Sequence, residues 1–109
     1  MSLESVYKNA LLIQLREKSF KVEVEKRFEV IFREQKIGLY IADIVVEGKV
    51  IIELKCCDSL VCEHQAQLIN YLKASNILVG LLINFGKRRL DYKRVHHPEY
   101  HCRLRSCLS

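Results

Sequence analysis

Ile41-Ala42-Asp43-Ile44-Val45-Val46-Glu47-Gly48-Lys49-Val50-Ile51-Ile52-Glu53-Leu54-Lys55 is the stretch on which the fold of this 109-residue chain turns. Two runs rich in β-branched residues flank Glu47-Gly48-Lys49, the pattern of a hairpin. Charged residues stand inside both runs, and register decides whether they meet. A two-residue loop, Glu47-Gly48, pairs Asp43 with Ile52 and sends Glu53 to the opposite face. A three-residue loop, Glu47-Gly48-Lys49, pairs position 43 with 53, 41 with 55 and 45 with 51. It keeps Tyr40, Ala42, Ile44, Val46, Val50, Ile52 and Leu54 on one uncharged face and gathers Ile41, Asp43, Val45, Ile51, Glu53 and Lys55 on the other. A one-residue slip would mix acids into the buried face, so the three-residue loop is expected.

Carboxylates paired across strands have Cβ atoms roughly 5 Å apart. Their charges repel, and burial adds to the cost. A hard divalent cation offsets both, since Mg²⁺ takes one or two carboxylates and fills its other positions with water and phosphate oxygens. Lys55 projects to the same face, where it can orient a water or stabilise charge on a phosphate. A buried Asp/Glu–Lys ion-pair cluster without metal fits the same residues.

Outward from this segment, Ser2 to about Lys18 reads as a helix capped by Ser2, with Leu3, Tyr7, Ala10, Leu11 and Leu15 at helical spacing. Phe20–Lys26 and Phe28–Arg33 alternate as two separate strands, ahead of Ile37–Val46 and Lys49–Cys56. Val61–Ala74 is helical, Ile77–Phe85 is a nearly continuous apolar strand, and Leu90–Val95 is a last edge strand. The order is α-β-β-β-β-α-β-β, a central sheet with helices packed on it. Residues 1–95 form one domain. Residues 96–109 lose periodicity and are expected to be a poorly ordered tail.

The formal charge of +5 belongs to that end. Residues 1–84 hold 11 basic and 11 acidic groups, while the last 25 hold 7 and 2. Lys87, Arg88, Arg89, Lys93 and Arg94 suit either phosphate contact or a solvated strand edge. No apolar run is long enough to cross a membrane, and the start carries no secretory signal. Five cysteines (Cys56, Cys57, Cys62, Cys102 and Cys107) leave one unpaired in any disulfide scheme, so reduced thiols and a cytoplasmic protein are expected. His96, His97, His101, Cys102 and Cys107 are either incidental in the tail or a metal-collecting set.

Asp43 followed by Glu53-Leu54-Lys55 resembles the Asp…Glu-x-Lys signature of the PD-(D/E)XK nuclease superfamily. Leu3-Glu4-Ser5-Val6-Tyr7 resembles the Glu-x-x-Tyr of its GxxExxY family, and Ile37–Asp43 is similar to that family's approach to its aspartate. His64–Leu72 resembles its second-helix block. Gly80–Gly86 and Leu90–Arg94 resemble its closing strands. Met1 stands about where the family's glycine should be, so a truncated start or a minimal variant is expected.

The resemblance implies a restriction-endonuclease-like α/β core, a central mixed β-sheet flanked by α-helices. It implies Asp43 and Glu53 as ligands of Mg²⁺ (or Mn²⁺), with the Leu54 carbonyl as a further oxygen and Lys55 as the catalytic lysine. Glu4 would approach from the first helix as a further acidic ligand or water-orienting group, although a first-turn acid also suits the helix dipole. Gln67 would face the site from the second helix. The implied function is a metal-dependent nuclease hydrolysing phosphodiester bonds of nucleic acid, DNA ahead of RNA, with no membrane and with a homodimer where both strands of a duplex are cut at once. The alternative is a non-catalytic nucleic-acid-binding or assembly module that keeps the fold.

Overall fold

The computed structural model describes residues 2–86 and 88–108, with side chains as far as Arg105. Met1, Lys87 and the Cys107 thiol lie outside what it describes. The elements are α1 (Leu3–Glu17), β1 (Val22–Phe32), β2 (Gln35–Val46), β3 (Val50–Lys55), α2 (Cys62–Ser75), β4 (Val79–Asn84), β5 (Asp91–His96) and α3 (Tyr100–Leu108). The strands form one mixed sheet in the order β1-β2-β3-β4-β5, in which β3 and β4 run parallel and the other neighbours antiparallel. Helix α2 makes the crossover between β3 and β4, which a parallel pair requires. This is the restriction-endonuclease-like core that the motifs implied.

The two sheet faces bury different sets. On one, Leu12 of α1 packs with Ile44, Val46, Ile52 and Leu54. On the other, Leu68 and Leu72 of α2 pack with Tyr40, Ala42, Val45, Ile51 and Leu82. Helix α1 starts where Ser2 Oγ accepts the Ser5 amide at 3.2 Å. Helix α2 starts with His64 Nδ1 accepting the Val61 amide at 3.1 Å, so this histidine is committed to closing its own helix. It ends at Asn76, whose φ of 64° turns the chain out.

The β2–β3 loop is Glu47-Gly48-Lys49, and its register is Val46↔Val50, Val45↔Ile51 and Ile44↔Ile52, as the apolar pattern required. Three expectations need correction. Phe20–Lys26 and Phe28–Arg33 are not two strands but parts of the single strand β1, paired with β2 along its length. Tyr40 and Ala42 do not share a face with Ile44 and Val46 but lie on the α2 side. Both differences have one cause. Val22 packs on the α1 side while Phe28 and Val30 pack on the α2 side, so β1 also changes face along its length. In both strands the change falls between the pairs Val24↔Ile44 and Lys26↔Ala42, at Glu25 and Asp43. Glu25 has a φ of 51°, unusual outside glycine, which interrupts the two-residue alternation.

The third correction concerns residues 96–109, where α3 replaces an irregular tail. The Arg103 guanidinium donates twice to Glu99 Oε2, at 2.9 and 3.0 Å, one turn apart. Tyr100 stacks on His96 with ring centroids 4.2 Å apart. Among the described residues no group of three or more His, Cys, Asp or Glu is placed to hold a metal, in this helix or elsewhere. No described helix is long and apolar enough to cross a membrane. Cys56, Cys57 and Cys62 are free thiols.

Leu72, fully buried beneath α2, is the core's most direct test. Leu72→Ala should cost about 2–5 kcal/mol in urea unfolding. Ile37→Ala, at a side chain 64% exposed on β2, should change stability by no more than about 0.5 kcal/mol. Equal losses would contradict the assignment of the core.

Candidate active site

Past Ile44↔Ile52 the β2–β3 ladder stops, and the strands part where Asp43 meets Glu53. The Leu54 N–H, left without a strand partner, donates to Asp43 Oδ2 at 3.0 Å. The Asp43 N–H in turn points at Glu53 Oε1, 3.4 Å away. A carboxylate thus replaces the missing rung and is held by it. The N–H and C=O of one strand residue point to the same side, so the Leu54 carbonyl opens toward the same fork.

Glu53 is buried, with 8% of its surface exposed, in the middle of a sheet. The Tyr40 hydroxyl donates to its Oε1. Tyr40 is itself clamped between rings, with Tyr71 of α2 stacked at 3.5 Å and Phe28 at 6.0 Å. Burial pushes the Glu53 carboxyl up to about 7, the Tyr40 hydrogen bond opposes this, and the Asp43 charge adds to the rise. Burial, reinforced by Glu53, also raises the Tyr40 hydroxyl, so it remains a donor. The Tyr71 hydroxyl is raised by burial and then by the Glu53 charge.

Lys55 closes β3 on the same side as Ile51 and Glu53, half-buried and without an ion pair among the described residues. Asp43, Glu53, Leu54 and Lys55 are therefore brought together. Glu4 and Gln67 are not joined to them. Glu4 is exposed in the first turn of α1 and makes no hydrogen bond or ion pair with either acid. That helix is anchored at this end by Tyr7 stacked on Phe85 at 4.4 Å and by Lys8 paired with Glu25 at 3.4 Å. Gln67 is exposed on α2, and its amide bears on the Tyr71 hydroxyl one turn on.

Two residues of this constellation escape the sequence reading. Alternation assigns Tyr40 to the wrong face. Asn84 lies within an apolar run, yet it is fully buried and bonds the backbone just beyond Lys55. The one visible signal for Asn84 was a polar side chain beside Gly86 inside a strand otherwise fit for burial.

One oxygen of each acid is bound by the protein, Asp43 Oδ2 by an amide and Glu53 Oε1 by Tyr40. Asp43 Oδ1 and Glu53 Oε2 accept no N–H or O–H among the described residues. Two adjacent carboxyl oxygens, a raised acid and a carbonyl facing the same fork suit a hard divalent cation that keeps other positions for water or phosphate.

A family model of the PD-(D/E)XK nuclease superfamily matches residues 1–95. By structure the chain is similar to the crystal structure of SSO0001, with a TM-score of 0.66, 21% identity, and coverage of 88% of this chain and 50% of that one. It is also similar to an alkaline exonuclease (LHK-Exo) from Laribacter hongkongensis, with a TM-score of 0.63, 12% identity, and coverage of 94% and 60%. The structure of LHK-Exo in complex with dAMP gives the same figures. The chain thus spans 50–60% of the length of these structures. No curated protein matches its sequence.

Glu53 makes stability depend on pH. Its folded pKa of about 7 lies above the ordinary 4.5, so this contribution is full below about pH 4.5 and is lost as pH rises through about 7. The loss is at most about 3 kcal/mol. Glu53→Gln keeps an acceptor for Tyr40 and removes the titration. Without metal it should melt above the wild type at about pH 8 and converge with it near pH 4.5. Parallel melting curves across this range would refute the assignment.

Proposed function

The chain belongs to the PD-(D/E)XK nuclease superfamily, and on that premise we propose that it is a Mg²⁺- or Mn²⁺-dependent nuclease hydrolysing phosphodiester bonds of nucleic acid. The observation that carries the proposal is the contact of Asp43 with buried Glu53 at the fork between β2 and β3, with Lys55 beside them. The dAMP bound to LHK-Exo favours DNA over RNA as the substrate class. Within the superfamily, Glu4-x-x-Tyr7 with Asp43 and Glu53-x-Lys55 favours the GxxExxY branch.

Asp43 and Glu53 would hold the cation, with the Leu54 carbonyl as a further oxygen. The ion, when bound, supplies Lewis acidity to the scissile phosphate. The protein's own part is positional and electrostatic. The Leu54 amide fixes the Asp43 carboxylate, and Tyr40 fixes Glu53 in one rotamer, so both acids are preorganised before substrate arrives. The Lys55 ammonium, without an ion pair among the described residues, is left to balance charge that builds on the phosphoryl oxygens. Exposed Arg88, Arg89 and Lys93 supply salt-dependent attraction for the backbone. A domain with one such site needs a second copy to cut both strands of a duplex at once.

Purified chain should cleave DNA with Mg²⁺ or Mn²⁺ and not with EDTA, and RNA more slowly. Asp43→Asn and Lys55→Ala should each reduce the rate at least 10²-fold, the scale of a lost positioned group. Cleavage unchanged in both variants would belong to a contaminant. Salt-dependent binding without cleavage in any metal would favour the non-catalytic module.

A further inference from the structure

Among the described residues, the Lys55 side chain makes no hydrogen bond or ion pair. Asp43 and Glu53 are tied by hydrogen bonds, whereas the lysine ends β3, where the chain leaves the sheet. What holds its backbone lies on the other side, in β4. Lys55 pairs with Asn84 in the parallel ladder, and its carbonyl accepts the Phe85 amide at 2.9 Å.

The Asn84 side chain, with none of its surface exposed, then reaches two residues past the lysine. Its Oδ1 accepts the Cys57 N–H at 3.1 Å and the Gly86 N–H at 2.9 Å, and its Nδ2 donates to the Cys57 carbonyl at 2.9 Å. One amide therefore binds both backbone groups of Cys57, as a strand would, after the strand has ended. Gly86 completes the grip, because a Cβ there would overlap the Cys57 backbone. Three backbone groups at the exit of β3, the Lys55 carbonyl and the Cys57 N–H and carbonyl, are satisfied by Asn84 and the turn that follows β4.

We propose that Asn84 is a positioning residue for Lys55, clamping the exit of β3 so that the ammonium is presented to a phosphate held at Asp43 and Glu53. The proposal rests on the nuclease reading for its consequence and on Asn84 alone for its geometry. A buried asparagine that served only to satisfy a loop would affect stability and leave the lysine's contribution intact. A clamp makes the two residues act as one unit, so their losses overlap.

The test uses the full chain with Asn84→Asp, which keeps the acceptor for the Cys57 and Gly86 amides and loses the donor to the Cys57 carbonyl. Asn84→Ser takes its place if the aspartate variant does not fold. At saturating Mn²⁺, kcat should fall at least tenfold, while KM and the Mn²⁺ dissociation constant from calorimetry stay within about threefold. The double variant with Lys55→Ala should be no slower than Lys55→Ala alone. Multiplied losses in the double variant would overturn the clamp, as would a matching loss of Mn²⁺ affinity. A second readout needs no activity. In ¹³C-lysine NMR, the Lys55 side-chain carbons should relax as an ordered group in the wild type and like those of exposed Lys49 in Asn84→Asp. Unchanged Lys55 relaxation overturns the clamp. A wild type that cuts nothing in any metal overturns the nuclease reading instead, and the relaxation arm then decides the clamp by itself.

Discussion

The hydrogen bond from the Leu54 amide to Asp43 holds the centre of this molecule together and makes it anionic at the same time. A sheet cannot leave a buried backbone N–H unpaired without a cost of about 1–3 kcal/mol. By parting β2 from β3 after Ile44↔Ile52, the fold creates such a donor and answers it with a carboxylate rather than a carbonyl. The substitution places negative charge beside Glu53, which burial has already made reluctant to ionise. Structural satisfaction and functional tension are therefore the same contact. The Phe28–Tyr40–Tyr71 stack exists within this frame, since it delivers a hydroxyl to Glu53 from a face that is otherwise apolar.

The acidic pair and the lysine were legible because one face of a hairpin had to be free of charge, and one loop length met that demand. The face change at Glu25 and Asp43 was not legible. It depends on a left-handed backbone at a glutamate, which no residue type announces. Tyr40 was consequently counted among the core residues of the wrong side, and a strand crossing the change was read as two. The parity of its apolar residues is the same before and after Glu25, so only packing partners reveal the switch.

Other parts were hidden for different reasons. Helix α3 is short, with few apolar residues, and is supported by the Glu99–Arg103 pair and by Tyr100 stacked on His96. His64 carries the right chemistry for a phosphate contact, but its ring is turned back to close α2. The role of Asn84 has no local signature, because Cys57, whose backbone it holds, lies 27 residues away in sequence. In each case the missing information was a specific side-chain contact, whereas what succeeded rested on local alternation.

That difference in range has a kinetic side. The rung from Leu54 to Asp43 closes a loop of 11 residues, and the bond from Cys57 to Asn84 closes one of 27. Loop-closure entropy separates them by only about 0.8 kcal/mol, but the longer closure also waits for α2 to form and dock. The hairpin is local and the parallel pair is not, and local contacts are generally made sooner. The two acids would therefore find each other in the nascent hairpin while the end of β3 is still loose. The two charges would then be together before the end of β3 is framed, because that frame depends on the parallel, longer-range pairing of β3 with β4.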